Sequence, residues 1–135
     1  MVYNIVFASH KCLFHSNYKL HTAERGNYMV FNTGSALLDA IVLAIVQKTS
    51  DGTYGYKITQ DVRGVIEISE STLYPVLRRL QKDDCLSVYD KEYGGRNRRY
   101  YRITERGCRQ LNLYQQEWSS YISKINQLLL TAQMD

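Results

Sequence analysis

A chain of 135 residues has the length of one domain, and with 44% apolar residues it can close one modest core. The charged fraction of 22% excludes a disordered chain, and no apolar run approaches the ~20 residues of a membrane span. A net charge of +4 is too small by itself to indicate nucleic acid, but the charge is unevenly spread. Between Arg78 and Arg109 stand ten Lys or Arg against five Asp or Glu, a net of +5 that leaves the remainder at about −1. Such a stripe either meets phosphate or is a solvated face, and motifs must decide between the two.

Residues 1–32 hold no sustained helical or alternating period, although they contain all three histidines, His10, His15 and His21. No carboxylate or nucleophile stands at a recognisable spacing from them, so no catalytic site is expected. The stretch also lacks the basic start and clean apolar run of a signal peptide. Cys12, Cys85 and Cys108 are far apart and form no CxxC pair. They read as thiols of a reducing cytoplasm, so a cytoplasmic protein without metal or cofactor is expected.

After Gly34 the periodicity is strong. Ser35 is a good N-cap for a helix over residues 36–46 that is apolar nearly all round, which predicts a central buried helix. Ser50-Asp51-Gly52-Thr53 is turn chemistry. A second, shorter helix is predicted from Tyr54 to Val62, with Ile58, Val62 and Val65 at helical spacing. Residues 66–69 are a short link, and Ser69-Glu70-Ser71-Thr72 opens a third helix with a hydroxyl cap and an acid in its first turn.

That third helix places Leu73, Val76, Leu77 and Leu80 on one face and Tyr74, Arg78, Arg79 and Lys82 on the other. Pro75, the only proline, falls in the first turn, where its missing N–H costs little, and Asp83-Asp84 ends the helix. Residues 86–90 and 100–104 alternate as strands around Tyr93-Gly94-Gly95-Arg96-Asn97-Arg98-Arg99, a glycine-opened loop loaded with arginine. Three short helices followed by a two-stranded hairpin predict a winged helix-turn-helix, a mainly α fold of the α+β class.

A last helix restarts at the Thr104 cap and keeps a seven-residue beat. Leu111, Trp118 and Ile125 share one position, Tyr114, Tyr121 and Leu128 the other, and Ile122 and Leu129 widen the stripe. A helix of this length cannot bury such a seam on the small domain, so it wants a partner helix. The expected organisation is an N-terminal extension over residues 1–33, a DNA-binding domain over 34–104 and a dimerisation helix over 105–135.

Ser69, Ser71, Thr72, Tyr74, Arg78, Arg79 and Lys82 offer hydroxyls early and cations later, a set suited to base edges and flanking phosphates. Tyr74 can equally pack on the second helix. Tyr54 and Lys57 begin that helix, whose N-terminal end suits phosphate, while Tyr56 is expected in the core. Arg96, Asn97, Arg98 and Arg99 form a wing suited to the narrow minor groove, whereas Lys91 and Arg102 lie on the strands. Leu111, Tyr114, Trp118, Tyr121, Ile122 and Ile125 are the candidate dimer or ligand interface. Trp118 reads both as a dimer-core side chain and as one wall of a gap for a planar apolar molecule.

Three segments in order, Tyr54-Gly55-Tyr56, Ser71-Thr72-Leu73-Tyr74-Pro75-Val76-Leu77-Arg78-Arg79-Leu80 and Gly94-Gly95-Arg96-Asn97-Arg98-Arg99-Tyr100-Tyr101-Arg102-Ile103-Thr104, resemble the PadR family. The chain is similar to its short, one-domain subfamily, which includes multidrug-responsive repressors. The resemblance covers residues 34–130. It implies a homodimeric winged-helix repressor that binds inverted-repeat promoter DNA and is released by a small molecule. It also places Trp118 at the dimer centre, stacked on flat ligands.

Residues 1–33 have no counterpart in the usual start of that family. Glu24-Arg25-Gly26 is compatible with a purine-rich ribosome-binding run just ahead of Met29, so translation is expected to begin at Met29. Intact mass from the native host decides this, and a dominant species starting at Met1 refutes it. Two other functions fit the same residues: a winged-helix protein–protein module whose basic stripe meets an acidic partner, and a small-molecule-binding protein with no DNA role.

Overall fold

The apolar run after Gly34 becomes α1 (Ser35–Gln47), which sends Val42, Leu43, Ile45 and Val46 into the core of a computed structural model. Residues 34–131 are described, so the histidines and the expected start at Met29 lie outside the described residues. The chain then makes a two-residue strand, β1 (Thr53–Tyr54), and turns into α2 (Gly55–Arg63). Tyr54 is therefore a strand residue and the cap of α2 rather than its first helical residue. α3 (Glu70–Lys82) follows, capped by Ser69, whose hydroxyl accepts the Thr72 N–H at 3.3 Å.

Leu73, Val76, Leu77 and Leu80 of α3 are buried against Ile58 and Val62 of α2 and the apolar side of α1, as the helical spacing requires. Two expectations fail beside them. Tyr56 is 59% exposed rather than core, and Val65 is exposed because α2 ends at Arg63, so its spacing is not continued. Ile66 and Ile68 of the connecting turn pack on the core instead. The Arg63 Nε–H donates to the Ile68 carbonyl at 3.1 Å and closes that turn.

β2 (Leu86–Tyr93) and β3 (Arg96–Ile103) pair antiparallel from Leu86 opposite Ile103 to Tyr93 opposite Arg96, and β1 adds to the free edge of β3 in the order β1-β3-β2. The expected two-stranded hairpin is thus three-stranded, and its loop is only Gly94-Gly95. Both glycines have positive φ, +60° and +77°, the backbone of a two-residue turn that matches the strand twist. The arginines assigned to a loop stand on β3.

α4 (Glu105–Leu129) starts at the Thr104 cap, whose hydroxyl accepts the Gly107 N–H at 2.9 Å. Its first turns finish the core: Cys108 and Leu111 are buried against the domain. Gly107 allows this approach, because a Cβ there would stand 2.2 Å from the Cys85 carbonyl oxygen. Gly107→Ala is expected to lower stability by about 2 kcal/mol through overpacking. The denaturation midpoint measures this, and an unchanged midpoint would show that α4 and β2 slide apart at no cost. Cys85 is a buried free thiol, and burial pushes its pKa up.

Candidate nucleic-acid interface

Alternation along β3 sorts its side chains. Tyr101 and Ile103 face the core, while Arg98, Tyr100 and Arg102 take the other face. On that outer face Tyr54 and Tyr89 flank Tyr100 across the sheet, with ring centroids 5.6 Å and 5.4 Å away. Cations lie over these rings. The Arg98 guanidinium sits 4.8 Å from the Tyr54 ring and 5.1 Å from Tyr93, Lys91 lies 5.9 Å over Tyr100, and Arg102 lies 4.9 Å over Tyr89. Arg102 also donates to the Asp51 carbonyl at 3.5 Å, so it braces the sheet. Stacking holds the Arg98 plane in place while the side chain stays partly open to solvent, a preorganised anion donor.

Arg96 and Asn97 are exposed beside the turn, and Arg99 sits 3.6 Å from Asp90 across the hairpin in an open ion pair. The wing thus presents its cations in three conditions: fully solvated at Arg96, ring-clamped at Arg98 and half-neutralised at Arg99. Sequence spacing does not separate them. The even–odd alternation on a longer β3 sets Arg99 apart from Arg96 and Arg98, and it places Tyr89, Tyr93 and Tyr100 on the Arg98 face.

α3 shows Ser71, Thr72, Arg78 and Lys82 to solvent. The Ser69 hydroxyl lies 2.9 Å from that of Ser71 and 3.0 Å from that of Thr72, so the three form one cluster at the start of the helix. Lys57 of α2 is paired with Asp61 at 2.5 Å, one turn on, and that hydrogen bond raises its pKa. Tyr74 is turned toward α2, with its ring and hydroxyl against Gly55. An open pocket of about 340 Å³ is walled by Tyr54, Gly55 and Tyr56 at the start of α2, Tyr74 of α3, and Arg98, Arg99 and Tyr101 of β3. The start of α2, Tyr74 of α3 and two arginines of the wing therefore meet around one hollow.

Arg79 departs from the rest of α3. Its guanidinium forms an ion pair with Asp39 of α1, and the Tyr114 hydroxyl of α4 donates to the other carboxylate oxygen at 3.1 Å. Arg79 is thus tied to α1 and α4 through Asp39, although its side chain stays 41% exposed. Leu111, expected at a partner interface, is only 2% exposed within this chain's own core. Trp118, Tyr121, Ile122 and Ile125 lie further along α4, with the Trp118 and Tyr121 rings 6.0 Å apart.

The profile of the Transcriptional regulator PadR-like family matches residues 42–113, from the middle of α1 into α4. The chain belongs to this family. A Streptococcus mutans protein of known structure is similar at 39% identity and a TM-score of 0.66, with 72% of this chain and 90% of that one covered. A PadR family transcription regulator from Clostridium difficile is similar at 30% identity and a TM-score of 0.60, over 69% of this chain and 97% of that one. A PadR-like transcriptional regulator from Bacillus cereus is similar at 31% identity and 0.61, over 72% and 95%. An uncharacterised protein of Lysinibacillus sphaericus is 36% identical over 88 residues, 61% of this chain and 78% of the relative. These alignments join the winged helix and the early part of α4 to a family of transcriptional regulators. No described helix is long and apolar enough to cross a membrane.

Proposed function

We propose that this PadR-like regulator is a homodimeric repressor that binds inverted-repeat promoter DNA and is released by a planar apolar molecule between its α4 helices. The observation that carries the DNA reading is the hollow where the start of α2, Tyr74 of α3 and Arg98 and Arg99 of β3 converge. A duplex laid there would take α3 into the major groove, with Ser71 and Thr72 toward base edges and Arg78 and Lys82 toward phosphate. Tyr54 and Lys57 at the α2 start would meet the phosphates of the same groove edge. Arg96, Asn97 and Arg98 would follow the minor groove, with Arg99 joining them by leaving Asp90. In this division of labour residues 34–104, completed by the first turns of α4, read DNA, and the later turns pair two copies.

A mobility shift with the purified protein and the duplex upstream of its own gene tests this reading. One dimer per duplex is expected, with binding that weakens steeply as salt rises. No shift even at low salt would favour the alternative of a protein–protein module.

Effector binding has its own measurement. Trp118 is the only tryptophan, so its emission reports on that one point of α4. A planar aromatic dye is expected to quench it saturably and to lower DNA affinity at the same concentrations, since a ligand shifts an equilibrium only by binding one state better. A flat titration would leave a constitutive regulator.

A further inference from the structure

α1 is the most apolar helix of the domain, yet it buries a carboxylate: Asp39 is 7% exposed. A buried charge is costly unless paired and hydrogen-bonded, so Asp39 depends on the partners it has. One oxygen takes the Arg79 guanidinium from the recognition helix α3, and the other takes the Tyr114 hydroxyl from α4 at 3.1 Å. Burial, the Asp39 charge and that hydrogen bond together push the Tyr114 pKa up to about 12, so the hydroxyl stays a donor at any physiological pH. α3 and α4 each pack on α1 and share no surface of comparable extent with each other. The carboxylate is therefore a polar link between the helix proposed to read DNA and the helix proposed to pair the two copies.

We infer that Asp39 is a positioning residue: with Arg79 and Tyr114 it fixes the angle between α4 and the recognition helix, and so the spacing of the two recognition helices in the dimer. This rests on the proposed reading of the chain as a dimer on two half-sites. A packed apolar contact tolerates small sliding, whereas a carboxylate that accepts from both sides holds direction as well as distance. When α4 rotates, the Tyr114 hydroxyl draws on Asp39 and Asp39 draws on Arg79, whose backbone follows directly on that of the outward Arg78. Arg79 stays partly exposed, so a DNA phosphate competes with Asp39 for it, and DNA in turn loosens the hold on α4.

The test uses an inverted-repeat duplex selected in vitro by the wild-type protein, and the same duplex with one half scrambled. Tyr114→Phe removes one hydroxyl and keeps the ring packed. The proposal expects affinity for the scrambled duplex to stay within error and affinity for the full repeat to fall about tenfold, a common size for coupling between sites. Arg79→Gln and the double variant complete a cycle, and their effects on the ratio of the two affinities are expected to be non-additive. A variant that loses thermal stability but keeps the ratio, or a cycle that is additive, overturns the inference and leaves the cluster as a brace. Should the wild-type protein bind both duplexes equally, the two-half-site reading falls and this inference with it. Binding of the full repeat with an unmoved ratio in Tyr114→Phe sinks the inference alone.

Discussion

Replacing Ile125 and Leu129 together with glutamate is expected to give a monomer in sedimentation equilibrium and to weaken binding to an inverted repeat by about 10²–10⁴-fold, the advantage that a second linked site confers. The two positions lie four residues apart on α4, on one stripe with Ile122 and Trp118. That part of the helix has left the domain behind: Leu128 and Leu129 are 72% and 66% exposed in the single chain. Removing apolar area of this kind from water drives two such helices together, and a carboxylate buried between them without a partner opposes it by several kcal/mol. The domain itself is untouched, because its core ends at Leu111 and Tyr114. Thermal unfolding of the winged helix in the variant should therefore match that of the wild type at equal monomer content. A double variant that stays dimeric and binds as before would remove α4 from the assembly.

Much of this fold is legible in order along the chain, because α2, α3 and α4 are amphipathic at clear spacing and α3 and α4 start at hydroxyl caps. Ser69 and Thr104 are hydroxyl caps that each meet an N–H three residues on, and Leu73, Val76, Leu77 and Leu80 are buried as one stripe. What stays hidden is long-range. β1 is two residues defined by pairing with Tyr100 and Tyr101, and no local pattern marks a strand so short. Asp39 reads as one acid on an apolar helix; its partners stand 40 and 75 residues away. The rule that a buried charge must be paired asks for them without naming them. The wing misleads in the opposite way. Its arginines and glycines suggest a loop, yet two adjacent glycines between Tyr93 and Arg96 are a sufficient hairpin turn, and the cations continue the strand. Position on a strand matters for function, since it decides which arginine has a tyrosine beneath it.

That position sets the expected result of changing Arg96, Arg98 and Arg99 together to alanine. If each meets one phosphate, the slope of log affinity against log salt flattens by about 0.9 for every phosphate no longer neutralised, roughly 2.7 in all. Counterion release is full at low salt and fades near molar salt, so at 0.1 M the loss is about 10²–10³-fold and the two proteins converge as salt rises. Unrelated duplexes should lose as much as the selected one, because phosphate carries no sequence. The single variants divide the loss unevenly. Arg98 is clamped between Tyr54 and Tyr93 and spends little rotamer freedom on binding, so its removal costs most. Arg99 must give up Asp90 to reach DNA, so Arg99→Ala costs least and Asp90→Asn tightens binding slightly. Salt titrations by fluorescence anisotropy measure each slope. A triple variant with wild-type affinity and slope at low salt would take the wing off the DNA, leaving α3 and the start of α2 to carry the interface.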